Sequence, residues 1–203
     1  MKFYSLWLCL ACVAMFALQS IIPGFTDALI LNQSAFTEPW RFLTAIFLHG
    51  SLPHLLYNIF ALAFFGMITE KFIGSRNFLI MFFSAGIIAN LIGVNFYESS
   101  LGASGAIYGI IGCLTLIQPM MIVWAFSLPM PMFIASIIWT AGDFLGLFIP
   151  SNTGHIAHLS GVAVGLIVGI VFRIRRRKYR QAHNYRIRLP EKEIREWEDR
   201  WLK

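Results

Sequence analysis

The sequence predicts an all-α membrane protein of six transmembrane helices with a short basic tail. Three observations predict it. Of 203 residues, 58% are hydrophobic and only 13% are charged, much less charge than a soluble domain of this length carries. The charges are nearly absent from several long apolar stretches, the pattern of helices that cross a bilayer. The basic residues near the stretch ends also gather on one side of the membrane when the spans number six.

The first span covers residues 3–22. Lys2 ahead of an apolar core also fits a signal peptide, but the even count keeps this segment as a span. Residues 23–49 form a long loop in which Asp27, Asn32, Gln33, Glu38 and Arg41 are scattered among Leu, Ile, Phe and Trp40. That mixture suits a segment lying among the headgroups better than a spanning helix. Span two covers 51–69 and ends at Glu70-Lys71; span three covers 77–94. Span four starts at Ser104 and ends near Gln118-Pro119. The apolar, proline-bearing segment 120–131 is placed at the interface. Span five covers 132–148 and span six 155–172. From Arg173 the tail ends in an amphipathic helical pattern carrying Trp197 and Trp201. The expected organisation is one membrane domain, 1–173, and one basic, helical cytoplasmic tail, 174–203.

The net charge of +6 belongs to the tail. Residues 173–203 hold 12 basic and 5 acidic side chains, a net +7, against −1 for the rest. A juxtamembrane basic run sets topology and contacts anionic lipid, so no nucleic-acid partner is expected. Lys2, Lys71, Arg76 and the cluster at 173–180 share one side, with Arg41 alone on the other. Both termini are therefore expected in the cytoplasm. On that orientation Ser104 opens span four from the outer side, and His158 and His54 each lie about one turn into their spans from the same side. Polar groups at membrane depth are costly and usually mark a site.

A serine hydroxyl becomes a nucleophile when a base takes its proton, and His158 can be that base and later the acid. Asp143 is the sole carboxylate of span five, and no acidic residue lies near His158 in span six. The expectation is thus a Ser-His pair without an orienting carboxylate. Tyr108, four residues after Ser104, shares its helix face and would hold the imidazole by stacking. Gly161, Gly165 and Gly169 after His158, and Gly105, Gly109 and Gly112 after Ser104, would let the two helices approach closely. Packing alone would also explain those stripes. His54 and Asn58, four apart, and the Ser104 N–H at a helix start can donate to an oxyanion; an interhelical hydrogen bond is the plainer role for the His-Asn pair.

His155 precedes His158 by three residues, and His-Glu-x-x-His is absent, so no metal is expected. His155 suits a cap of span six or the wet mouth, His49 a loop-bracing hydrogen bond, and His183 a solvated tail. Cys9 and Cys12 read C-x-x-C inside the first span, where small apolar packing suits them, and Cys113 likewise, better than redox chemistry.

These residues together resemble the rhomboid family of intramembrane serine proteases. Gly102-Ala103-Ser104-Gly105 resembles its nucleophile motif. His158-Leu159-Ser160-Gly161, continuing to Gly165, resembles its base motif. His54 to Asn58 resembles its oxyanion motif, and Trp40-Arg41 the pair in its first loop. The likeness runs from Trp40 to Gly169. It implies a six-helix bundle with a short central span four and a partly embedded first loop, a minimal version without a soluble leading domain. It also implies cleavage of transmembrane segments of other proteins near their extracytoplasmic ends, in the cell membrane, without metal or cofactor. By position, Ser104 would be the nucleophile, His158 the base, His54, Asn58 and the Ser104 N–H the oxyanion donors, and Tyr108 the ring on the base. Residues 148–153 would form a lid and span five a lateral gate, with Ser99, Ser100, Ser151, Asn152 and Thr153 flanking the outer mouth. The alternatives are a non-catalytic rhomboid-like protein that binds membrane clients, and a small transporter, which would need ionisable residues along a whole path through the bilayer.

Overall fold

A computed structural model of the chain describes residues 2–151, 153–187 and 191–202, with side chains described outside residues 178–187. The chain is mostly helical. α1 (Tyr4–Ile21) leads into a first loop that holds α2 (Phe25–Leu29), β1 (Leu31–Asn32) and α3 (Arg41–Thr44). Then come α4 (Leu52–Ile73), α5 (Ser75–Gly93), β2 (Ser99–Ser100) and α6 (Ser104–Ile117). The hairpin β3 (Ile122–Ala125) and β4 (Leu128–Pro131) precedes α7 (Met132–Gly146), α8 (His155–Ile187) and α9 (Glu191–Trp201).

Among the described residues, four helices are long and apolar enough to cross a membrane: α1, α4, α5 and, over His155–Arg177, α8. α6 and α7 are apolar but shorter, at 14 and 15 residues. At about 1.5 Å of rise per residue, α6 covers roughly 20 Å of a hydrocarbon core about 30 Å thick. A helix that short within a membrane must be enclosed by others, and nine of its fourteen residues are buried.

Local chemistry sets the helix ends. Ser51 accepts the His54 N–H at 3.3 Å and Pro53 sits in the first turn of α4, both standard starts. Gly74, at φ 81°, ends α4 and starts α5 at once. The fully buried Glu70 accepts from the backbone N–H groups of Tyr4 and Ser5, each at 3.1 Å, and from the Ser5 and Ser75 hydroxyls. A carboxylate at the N-terminus of α1 meets its orphan donors and its dipole, so one buried charge ties α1, α4 and α5 together.

α6 is seated by small residues on two sides. On α5, Ala89 and Ala85 face Gly105 and Gly109. On α8, a methyl group at Gly161 or Gly165 would collide with the Gly105 or Gly109 carbonyl. The two glycine stripes therefore face each other, backbone on backbone.

The structure amends the all-α expectation with two short antiparallel pairs. Leu31 pairs with Ser100 and Asn32 with Ser99. The segment placed at the interface, 120–131, is a hairpin whose turn residues Phe126 and Ser127 have φ of 53° and 62°. Its prolines reject helix, and its aromatic and β-branched residues suit strands. The chain divides into two compact units, Met1–Ile170 and Val171–Lys203. α8 continues beyond the expected end at 172, since hydropathy marks where a helix stops being apolar and Arg, Lys, Gln and Ala still propagate it. In the second unit, Ile194, Trp197 and Trp201 of α9 are exposed at helical spacing.

Candidate active site

The site starts at the entrance to α6. The β1–β2 pair holds the strand that precedes it, and the Gly102 N–H donates to the Ala45 carbonyl at 2.9 Å. Gly102 has φ 127°, and a methyl group there would lie 2.8 Å from His54 Cε1. Glycine is required at this turn, and its bareness lets the His54 ring rest beside the chain just ahead of Ser104. Ser104 then opens α6, where first-turn N–H groups have no helical acceptor.

His158 lies in the first turn of α8 and is 8% exposed. Its Nε2 is 2.8 Å from Ser104 Oγ. Tyr108, one turn along α6, lies flat on the same imidazole, with ring centroids 4.2 Å apart and planes 7° apart. The glycine contact between α6 and α8 makes this distance possible, because a side chain at Gly161 would hold the helices apart.

One expectation needs correcting. No carboxylate was expected beside the base, yet Asp143 of α7 places Oδ1 2.8 Å from His158 Nδ1. Asp143 is buried in an otherwise apolar helix. It lies 15 residues from its partner with no motif joining them. The available signal was the lone charge itself, since a carboxylate in a short apolar helix needs a partner. The same Oδ1 is 2.7 Å from His155 Nδ1. His155 thus neither caps α8 with its side chain nor stands free; its Nε2 is also 2.9 Å from Ser151 Oγ.

The expected oxyanion donors are arranged as follows. His54 and Asn58 both line the cavity that holds Ser104 and His158. Asn58 Nδ2 donates to the His54 carbonyl at 2.9 Å, within its own helix and not between helices, which leaves one amide hydrogen over. His49 braces the loop before α4: its backbone N–H donates to Gln19 Oε1 and its carbonyl accepts from Gln19 Nε2. Its ring meets the Phe47 carbonyl at 3.2 Å and the His54 ring edge-on. Burial, seconded by the neighbouring His54, pushes the His49 imidazole down to about 4, against the Phe47 carbonyl.

Arg41 is buried in the first loop, bonded to Glu38 and to the carbonyls of Asp27 and Ile30. Five donors in a fixed fork fold this loop around one side chain. Trp40 lies beside it, half exposed, with Nε1 3.5 Å from the Ala28 carbonyl. Cys12 and Cys113 are buried and Cys9 partly so, all three free.

The cavity measures about 1140 Å³. Ser99, Ser100, Ser151 and Thr153 line one part of it, and Phe60, Phe64, Trp124 and Trp139 another. Its lining is polar at these hydroxyls and apolar along α4, β3 and α7. Asn152 and the side chain of His183 lie outside the described residues. Asp143, His155 and His158 offer ligand atoms within 4.8 Å of one another, a spacing open to a metal ion and equally accounted for by their hydrogen bonds.

Residues 37–175 match the Rhomboid domain family. Rhomboid protease GlpG of Haemophilus influenzae is 28% identical over 168 residues, covering 79% of this chain and 85% of that protein. Putative rhomboid protease YdcA of Bacillus subtilis is 33% identical over 139 residues, 66% of this chain and 67% of that one. RHOMBOID-like protein 4 of Arabidopsis thaliana is 30% identical over 140 residues, 68% of this chain. The chain spans about a third of the length of the two Arabidopsis relatives it matches, 35% and 36%.

Proposed function

The chain belongs to the rhomboid family, and from that premise we propose that it is an intramembrane serine endopeptidase. It cleaves transmembrane segments of other membrane proteins near their extracytoplasmic ends. The observation that carries this reading is the 2.8 Å contact between Ser104 Oγ and His158 Nε2 in a cavity lined in part by hydroxyls.

In the mechanism, His158 Nε2 takes the Ser104 proton as Oγ attacks the scissile carbonyl carbon. The Ser104 N–H, the His54 ring N–H and the free Asn58 amide hydrogen receive the oxyanion. The C–N bond then breaks and His158 returns its proton to the leaving amine. Water, deprotonated in turn by His158, frees the acyl group from Ser104. No step calls for a metal or cofactor. A substrate helix must unwind locally first, because helical carbonyls are already bonded, so glycine or proline near the cleavage site favours cleavage.

The protein is a multi-pass membrane protein. We place six spans in the cell membrane, α6 and α7 included, with the first loop partly embedded and both termini cytoplasmic. α7 acts as the lateral gate and residues 148–153 as the lid. The basic tail meets anionic lipid.

Ser104→Ala is expected to abolish cleavage of a transmembrane reporter in proteoliposomes while leaving the protein folded. A fluorophosphonate should label Ser104 in the wild type. Cleavage that survives in Ser104→Ala would sink the serine assignment. A wild type inert to both reporter and phosphonate would favour the client-binding alternative.

A further inference from the structure

We propose that Asp143, His155 and Gly146 form a positioning arm for the base. In this arm, one carboxylate shared by two imidazoles fixes the tautomer of His158 and ties its competence to the docking of α7. The proposal rests on the reading of His158 as the base.

Hydrogen-bond directions make the case. To take the Ser104 proton, His158 must present a bare Nε2, so its own proton sits on Nδ1 and donates to Asp143 Oδ1 at 2.8 Å. His155 meets the same oxygen through Nδ1 at 2.7 Å and must donate there too. Its Nε2 can then accept from the Ser151 hydroxyl, 2.9 Å away. Ser151 Oγ in turn accepts the Thr153 N–H at 3.3 Å. An ionised Asp143 that accepts an N–H from each imidazole satisfies every link. Were either ring in the other tautomer, its bare Nδ1 would face the bare carboxylate oxygen with no proton between them.

The arm is fitted as well as bonded. Gly146, three residues after Asp143 and on the same face of α7, lies beneath the His155 ring. A methyl group there would stand 2.8 Å from His155 Nδ1 and closer to Cε1 and Nε2. The rings of His155 and His158 sit edge-on, 6.3 Å apart at 85°, so each can aim an N–H at the shared oxygen. Chemically, the carboxylate favours the imidazolium that forms when His158 takes the proton. His155 holds the carboxylate in place. Because α7 supplies both Asp143 and Gly146, a displaced α7 leaves the base unoriented.

The test uses the full chain in proteoliposomes with the transmembrane reporter, across a range of pH. Asp143→Asn should lower kcat on the order of 100-fold while KM changes by less than about 2-fold. The acid limb of kcat/KM should move to lower pH, since the variant removes a negative charge bonded directly to the reacting pair. Gly146→Ala removes no polar group and displaces only the His155 ring. It should lower kcat roughly 3- to 10-fold and move the acid limb the same way. Combined with Asp143→Asn it should cost nothing further, because both act through one arm. If Asp143→Asn fails to fold, Gly146→Ala carries the test alone. An unmoved acid limb in the folded variants would overturn the proposal, as would additive losses in the pair. Activity lost to a chelator and restored by zinc would also overturn it, by making the three groups metal ligands. Ser104→Ala separates the two levels: residual cleavage there defeats the proposed function itself. An inert Ser104→Ala beside an unshifted Asp143→Asn defeats only the arm.

Discussion

α8 meets α6 and α7 in two different ways. Against α6 it lays backbone on backbone: Gly161 and Gly165 leave no space for even a methyl group over the Gly105 and Gly109 carbonyls. Against α7 it relies on one carboxylate and two imidazoles. The helices differ to match, with nine of fourteen residues buried in α6 and four of fifteen in α7. A close-packed contact without side chains has no rotamers to lose and no charge to titrate. A contact made of a buried ion and its partners is directional and costly to break, but only a few groups hold it. Ser104 and His158, the proposed nucleophile and base, are thus joined across the rigid seam, and His158 is bonded from the soft one.

The rigid seam should break hardest. Gly165→Val drives a branched side chain into the Gly109 backbone, which, unlike a side chain, has nowhere to turn. We expect a loss of about 3 kcal/mol or more, read as a lower thermal midpoint in detergent together with lost cleavage. A Gly165→Val protein with an unchanged midpoint and full activity would mean that the seam is not rigid at all.

The loop before α4 supplies a titratable group outside both seams. The His49 imidazole is held at about 4 against an ordinary 6.5, chiefly by burial. As pH falls through 6.5 the unfolded chain takes up a proton that the folded chain refuses. Stability is therefore fully present above 6.5, drains away toward 4 and levels off below. The loss amounts to roughly 3 kcal/mol over that window. His49→Gln should flatten the slope of stability against pH between 6.5 and 4 in urea titrations. An equally steep slope in His49→Gln would mean that another group carries the acid sensitivity.

The two seams also differ in how far the sequence foretold them. Glycines every three or four residues on two apolar stretches announce close helices, and a serine and a histidine at matching depths announce which atoms meet. Asp143 announces little, because a carboxylate lying 12 and 15 residues from its partners matches no helical or strand spacing. Only the fold closes that distance. The β3–β4 hairpin stayed hidden for a related reason: an apolar run of a dozen residues looks alike in an interfacial segment and in a strand pair, and Pro129 and Pro131 exclude helix without specifying strand. The length of α8 was hidden because hydropathy senses the bilayer's edge and is blind to a helix that continues past it.

The smallest expected effect sharpens the contrast most. Tyr108 is the rigid seam's own hold on the base, a ring stacked at 4.2 Å and 7° on His158. Such a stack contributes about 1 kcal/mol beyond the area it buries, so Tyr108→Ala should lower kcat only about 5-fold. Tyr108→Phe keeps the ring and should stay near wild type. Because the ring carries no charge, its loss should move the acid limb of the pH profile less than Asp143→Asn does. A Tyr108→Phe variant as poor as Tyr108→Ala would show that the hydroxyl matters and the stacking does not. The aromatic hold from α6 would then be a polar one, and the two seams would differ in degree and not in kind.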